Sequence, residues 1–133
     1  MANEKPSGPG TFCWNELMTR DVPAATNFYT KLLGWTIEEM DMGEMGTYTM
    51  FKRGDDTVGG MMAMPSDMPE QVPPHWMTYV QVDDVDASFG QAKELGATGQ
   101  VPPMDIPNIG RFAVITDPTG ATIALYQEAA QQA

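Results

Sequence analysis

Asp21-Val-Pro-Ala-Ala-Thr-Asn-Phe-Tyr-Thr-Lys-Leu-Leu-Gly-Trp35 is the stretch that decides the fold of this chain. Asp21 can cap the start of a helix, Pro23 suits the first helical turn, and Gly34 suits a left-handed helix end. Apolar side chains recur at helical spacing between these signals. The stretch therefore predicts an amphipathic helix that ends just before Trp35.

The same pattern occurs again further along the chain, from Asp84 to Gly96. Asp21 and Asp84 are 63 residues apart, whereas Gly34 and Gly96 are 62 apart, so the second helix is one residue shorter. Two apolar segments, 46–53 and 110–117, also match at an offset of 64. We predict two copies of one βαβββ module, and hence an α+β fold.

Each module is predicted to contain one helix between an initial strand and three further strands. The predicted strands are 12–19, 35–40, 47–52, 58–64, 75–82, 99–102, 111–116 and 121–126. The predicted organisation is one domain with a flexible N-terminus at 1–11, a first module at 12–64, a Pro-rich connector at 65–74, a second module at 75–127 and a C-terminal tail at 128–133.

Composition limits the classes of partner that we expect. The chain has 133 residues, and 18 acidic against 7 basic residues give it a net charge of −11. This charge disfavours nucleic acid and anionic membrane surfaces as partners. No apolar run approaches the roughly 20 residues of a membrane span. Cys13 is the single cysteine, which fits a reducing compartment, so we expect a cytoplasmic protein.

Alternation along the strands assigns their two faces. The residues expected beneath the helices are Leu17, Thr19, Val80, Val82, Ile123 and Leu125. The opposite face is expected to carry Trp14, Glu16, Met18, Gly60, Met62, Met64, Met77, Tyr79, Gln81, Thr122, Ala124 and Tyr126.

The helix signature "DVPAATNFYTKLLGW" and the final turn "DPTGATIALYQ" resemble those of the vicinal oxygen chelate superfamily, which includes glyoxalase I, bleomycin-resistance proteins and extradiol dioxygenases. The likeness covers about 12–127. It implies curved mixed sheets that form an incomplete barrel, commonly completed in a homodimer, with a pocket on the concave face.

The resemblance also implies where a divalent metal would bind in glyoxalase-type enzymes. Their ligands are His or Gln on the first strand and Glu on the last strand of each module. The matching positions here are Trp14 and Gly60 in the first module, and Met77 and Ala124 in the second. None of these side chains can coordinate a hard or borderline divalent ion. We therefore expect no metal and no cofactor.

Two titratable residues are candidates for proton transfer. Glu16 is an acid within an apolar strand, where burial would raise its pKa and make it a proton acceptor or a polar anchor. The alternative is that Glu16 pairs with Arg20 or Arg111, or reaches water. His75, the single histidine, could be a general base, or it could be a strand-edge residue without a catalytic role.

Aromatic, sulfur-containing and basic side chains are the candidates for ligand binding, because they can stack on a flat molecule, adapt to its shape or attract its charge. The alternative is that they form core, a dimer interface or an exposed hairpin. The candidate ligand-binding residues are Trp14, Met62, Met77, Tyr79, Arg111 and Tyr126.

Three hypotheses for the function stay open at this point. The first is a metal-free homodimer that binds a small molecule in a concave pocket. The second is a lyase, isomerase or dioxygenase that uses displaced metal ligands, or acid–base chemistry at Glu16 or His75. The third is an interaction domain whose pocket is filled by its own side chains.

Overall fold

The computed structural model describes residues 8–106 and 109–129. They divide into two compact units, which we call the N-terminal unit, Trp14–Met77, and the C-terminal unit, which consists of 8–13 with 78–106 and 109–129. The predicted N-terminus and tail lie largely outside the described residues, and the module boundaries stay predictions. The elements are β1 Phe12–Thr19, α1 Val22–Leu33, β2 Thr36–Asp41, a 3-10 turn Gly43–Met45, β3 Thr47–Arg53, β4 Asp56–Ala63, β5 His75–Gln81, α2 Val85–Glu94, β6 Thr98–Ile106, β7 Gly110–Thr116 and β8 Thr122–Glu128.

Helix α1 begins and ends at the predicted residues. The Asp21 carboxylate accepts a hydrogen bond from the backbone N–H of Ala24 at 3.0 Å. Gly34 has a φ of 72°, and its N–H donates to the Thr30 carbonyl. Only glycine adopts this left-handed conformation without steric cost, so the helix ends there.

In the N-terminal unit, the strand order is β2-β3-β4-β1, and β4 pairs parallel with β1 and antiparallel with β3. Leu17, Phe51 and Met61 form a buried core, and Ala25 and Tyr29 of α1 pack against it. Leu17 therefore lies beneath the helix, as the alternation predicts.

In the C-terminal unit, the order is β5-β8-β7-β6, and β5 pairs parallel with β8. Asp84 caps α2 through the N–H of Ala87 at 3.1 Å. The core beneath α2 consists of Val85, Ala113, Ile115 and Leu125, with Val82 and Ile123 packed against it. The predicted helix-facing positions Val82, Ile123 and Leu125 are confirmed.

The strand β6 is longer than predicted. It runs from Thr98 to Ile106, whereas the sequence predicts a strand at about 99–102. The pairing with β7 shifts register between Gly99 and Val101 and again between Val101 and Met104. These irregularities on an edge strand accommodate the prolines.

No helix within the described residues is long and apolar enough to span a bilayer.

Candidate functional site

The face of the N-terminal sheet opposite α1 carries a buried carboxylate. Glu16 on β1 lies opposite Gly60 on β4, and Gly60 lies opposite Met50 on β3. Glu16 is 5% exposed. Burying a charged group is costly unless it is hydrogen-bonded, so the partners of Glu16 define what this face can do.

Tyr48 links the polar side chains of this face by hydrogen bonds. The indole N–H of Trp14 donates to the Tyr48 hydroxyl at 2.8 Å, and the same hydroxyl hydrogen-bonds the Glu16 side chain. The Tyr48 ring crosses β4 at Gly60, where a Cβ atom would collide with the phenol. Glycine is required at position 60 because only its missing side chain leaves room for this ring. We call Trp14, Tyr48 and Glu16 the Trp–Tyr–Glu chain.

The direction of the hydrogen bonds follows from the pKa of Tyr48. Burial is the largest cause that raises this pKa, and the negative charge of Glu16 raises it further. The hydrogen bond from Trp14 opposes the shift but does not cancel it. The phenol therefore keeps its proton at neutral pH, accepts from Trp14 and donates to Glu16.

Because the pKa of Tyr48 is raised, the free energy of unfolding is expected to fall as the pH rises in the alkaline range. In the unfolded chain Tyr48 loses its proton near pH 10, whereas the folded state keeps it because the folded pKa is raised. The contribution of Tyr48 is thus complete below pH 10 and declines above it, by about 1.4 kcal/mol per pH unit. Urea unfolding at pH 9, 10 and 11 should show this decline in the wild type and a smaller one in Tyr48→Phe. Equal pH slopes for the two proteins would refute the assignment.

Sequence reasoning missed Tyr48, although two signals pointed to it. Tyr48 and Met50 alternate with the core residues Thr49 and Phe51, so they belong on the same face as Glu16. A glycine inside a strand, such as Gly60, is a typical sign of close approach by another group. Neither signal identifies the partner without the strand register.

The other candidates of the N-terminal unit occupy different surroundings. Met62 is half-buried on β4, opposite Met18 on β1, on the same face as Glu16. Met77 is buried, at 9% exposure. His75 begins β5, is half-buried, and its Nδ1 lies 2.8 Å from the carbonyl oxygen of Pro73. The roles predicted for these residues stay predictions.

The candidates of the C-terminal unit are Tyr79, Arg111 and Tyr126. Tyr79 is buried and lies opposite Ala124 on β8. The Tyr126 hydroxyl donates to the Ile109 carbonyl at 2.9 Å, and burial is the largest cause that raises the pKa of Tyr126.

Arg111 has two carboxylate partners within the C-terminal unit. Its Nε and Nη2 donate to both oxygens of Asp86 at 2.8 and 2.9 Å, and its Nη1 donates to Asp105 at 2.9 Å. These contacts lower the pKa of Asp86. An anionic ligand would have to compete with them, so Arg111 as a ligand-binding residue stays a prediction.

The side chains at the implied metal positions do not fit a divalent ion. In the N-terminal unit, the Trp14 N–H is a donor that Tyr48 already uses, and Gly60 has no side chain. In the C-terminal unit, Ala124 offers only a methyl group. Within 8–106 and 109–129, no group of three or more His, Cys, Asp or Glu is arranged to hold a metal. Hard and borderline cations need several oxygen or nitrogen ligands, which these positions do not supply.

Solved structures share this fold. A hypothetical protein, BH1468 from Bacillus halodurans, aligns with a TM-score of 0.67 at 11% identity, covering 93% of this chain and 98% of that one. A methylmalonyl-CoA epimerase aligns with a TM-score of 0.61 at 17% identity, covering 94% of this chain and all of the other. At these identities the likeness establishes the fold alone.

Curated relatives are closer in sequence. "Putative glyoxylase CFP32" of Mycobacterium bovis is 42% identical over 92% of this chain and 46% of its own length. The anthracycline biosynthesis protein DnrV of Streptomyces peucetius is 31% identical over 90% of this chain and 48% of its own length. The chain thus spans about half the length of these relatives.

A family model matches residues 12–125, which contain both helices and all but the last three residues of β8. By this match, the chain belongs to the Glyoxalase/Bleomycin resistance protein/Dioxygenase superfamily.

Proposed function

We propose that this chain binds a small organic molecule, and that the N-terminal unit does so without a divalent ion at the family's ligand positions. The observation that carries the proposal is the Trp–Tyr–Glu chain. A side chain projecting from position 60 toward a metal would enter the volume that the Tyr48 phenol occupies. The Tyr48 phenol therefore occupies the position that a metal-coordinating side chain at residue 60 would need.

The character of this face supports an organic ligand. Trp14, Tyr48, Met50 and Met62 are all half-buried, so each keeps part of its surface accessible. An aromatic and thioether surface favours a flat or partly apolar molecule. Glu16 and the Tyr48 hydroxyl add a polar anchor, which fixes the orientation of a ligand in an otherwise apolar site.

The names of the relatives suggest a first probe for binding. One relative is named for anthracycline biosynthesis, and an anthracycline is a flat, partly aromatic molecule. We therefore propose doxorubicin as the probe, titrated by isothermal calorimetry against the wild type and Glu16→Gln. Glu39→Gln is the matched control, because Glu39 is exposed on β2 of the same unit. Loss of a hydrogen-bonded charged anchor should weaken binding by about tenfold or more, and the control should leave it unchanged.

Metal content tests the other half of the proposal. After incubation with Ni²⁺, Zn²⁺, Mn²⁺ and Fe²⁺ and removal of free ions, elemental analysis should find far less than one ion per chain. A stoichiometric ion that EDTA removes would contradict metal-free binding. Equal doxorubicin affinity of the wild type and Glu16→Gln would contradict the Trp–Tyr–Glu chain as the binding site.

Acid–base catalysis is the second candidate function. It is favoured by one observation: the buried Glu16 carboxylate is hydrogen-bonded to a tyrosine that keeps its proton, so the carboxylate is the group that could accept a proton from a bound molecule. Glu16→Gln should then abolish turnover of an identified substrate, while His75→Gln tests the other candidate. Unchanged turnover in Glu16→Gln would exclude this role.

The homodimer and the cytoplasmic location that the sequence suggests also remain predictions.

A further inference from the structure

A lysine lies on the sheet face that carries the Trp–Tyr–Glu chain. Tyr48, Met50 and Lys52 occupy alternate positions of β3, and all three are half-buried. They lie on the face opposite Phe51, which is fully buried beneath α1. The proposed binding face therefore holds a cation as well as a buried carboxylate.

The other Lys and Arg residues of the N-terminal unit have different surroundings. Arg20 lies beyond the end of β1 and donates to the Pro69 carbonyl at 3.0 Å. Lys31 belongs to α1, which packs on the other side of the sheet. Arg53 follows on the alternate side of β3 and is exposed. Lys52 thus supplies the cation of this face.

The ion pair of Lys52 leaves its ammonium available to a ligand. The Lys52 Nζ lies 3.3 Å from Oε1 of Glu38, and the two side chains are 25% and 55% exposed. An ion pair with a partner this exposed contributes little to stability, and an ammonium has three N–H donors. Arg111 differs, because it donates to both oxygens of one carboxylate and to a second carboxylate. Lys52 can therefore bind an anionic oxygen while keeping Glu38.

A β-bulge lies beside Lys52. The pairing of β3 with β4 shifts between Phe51 and Lys52, which leaves Val58 as an extra residue on β4. Bulges are frequent next to binding sites, where they change the direction of a side chain. The position that matches Lys52 in the second module, 64 residues further on, is Thr116. The cation is thus a property of the N-terminal unit and not a requirement of the repeated fold.

We infer that the ligand of the N-terminal unit is an aromatic carboxylate. Its carboxylate binds the Lys52 ammonium, and its flat ring system lies on Met50 and reaches the Trp–Tyr–Glu chain. The inference rests on the proposed function and names the ligand class of the same site.

The spacing of these groups suits a molecule with fused rings. The Tyr48 hydroxyl lies over Gly60, which is opposite Met50, and Lys52 is two residues further along β3. Two residues of a strand span about 7 Å, and neighbouring strands are about 4.8 Å apart. The face thus presents a polar anchor, an apolar platform and a cation, in that order, along the length of a fused aromatic ring system.

Charge favours a carboxylate over a more highly charged anion. Lys52 compensates one negative charge, and Glu38 stays beside it. The chain as a whole has a net charge of −11. A dianion such as a phosphate monoester would meet more repulsion from this field than a monoanion does.

Calorimetric titration of the full chain with two matched probes tests the inference. Anthraquinone-2-carboxylate and anthraquinone-2-carboxamide share one ring system and differ in charge. The wild type should bind the carboxylate about tenfold more tightly, because hydrogen bonds between charged groups are the stronger ones. Lys52→Gln should reduce this preference to about one. Glu38→Gln should tighten binding of the carboxylate, because it removes the competing partner of Lys52, an effect that a purely structural ion pair would not produce.

Arg53→Gln is the matched control, because Arg53 is the next residue of β3 and lies on its other side. It should leave the preference for the carboxylate unchanged, and circular dichroism should show that every variant remains folded. A wild type that binds doxorubicin but not anthraquinone-2-carboxylate, or that binds the two anthraquinones equally, would overturn this inference alone. So would an unchanged preference in Lys52→Gln. A wild type that binds none of the three molecules would overturn the proposed function, and this inference with it.

Discussion

Replacement of Phe51 by alanine is expected to lower the free energy of unfolding by about 3–5 kcal/mol. Phe51 is fully buried beneath α1, where its ring meets Tyr29 at 5.9 Å and Trp35 at 5.0 Å. The substitution removes apolar area from the core and leaves a cavity that the paired strands β3 and β4 cannot close. The loss is large relative to the 5–15 kcal/mol by which a typical domain is stable.

Urea unfolding followed by tryptophan fluorescence measures this loss. Phe12→Ala is the control of identical chemistry, because Phe12 is 68% exposed on β1. It should change the stability by no more than about 0.5 kcal/mol. Equal effects of the two substitutions would mean that Phe51 does not form the core under the helix.

Replacement of Gly60 by alanine is expected to cost about 1–3 kcal/mol, although it adds only a methyl group. The new Cβ would collide with the Tyr48 phenol, so the ring must leave β4. Displacing it breaks the hydrogen bonds that join Tyr48 to Trp14 and Glu16. Part of the cost is therefore the loss of the partner of a buried carboxylate.

A double-mutant cycle separates this collision from general effects of removing glycine. In a Tyr48→Ala background, Gly60→Ala should cost much less, because the phenol is no longer there to be displaced. Gly90→Ala, in a helix position with nothing within 4 Å, should stabilise the protein by up to about 1 kcal/mol. Strict additivity of the Tyr48 and Gly60 substitutions would refute the close approach.

The sequence predicts the elements well where the signals are local. Asp21 and Gly34 define α1 through a cap and a left-handed residue, both of which depend on the immediate neighbours alone. Alternation likewise assigns Leu17 and Leu125 to the helix-facing side. The predicted end of β6 at about Pro102 was wrong. An edge strand can continue past proline when its pairing shifts register, and the sequence alone does not show where such shifts occur.

The site was harder to predict because its contacts join distant parts of the chain. Tyr48 reaches Trp14 across Gly60, so its role depends on three strands and their register. Arg111 binds Asp86 on α2 and Asp105 on β6, partners that no local motif couples. The sequence predicts which side chains a strand carries and on which of its faces they lie. It does not predict which of them form hydrogen bonds or ion pairs with each other, because that depends on the order and register of the strands.

The central claim is that the Tyr48 phenol, hydrogen-bonded to Trp14 and Glu16, occupies the volume above Gly60 where a metal ligand would project. Diffraction from crystals grown with nickel, recorded at the nickel absorption edge, tests this claim directly. The account predicts Tyr48 over Gly60, with its hydroxyl within hydrogen-bond distance of the Trp14 indole, and no anomalous peak beside Glu16. A nickel ion coordinated by Glu16, with Tyr48 turned away, would contradict it.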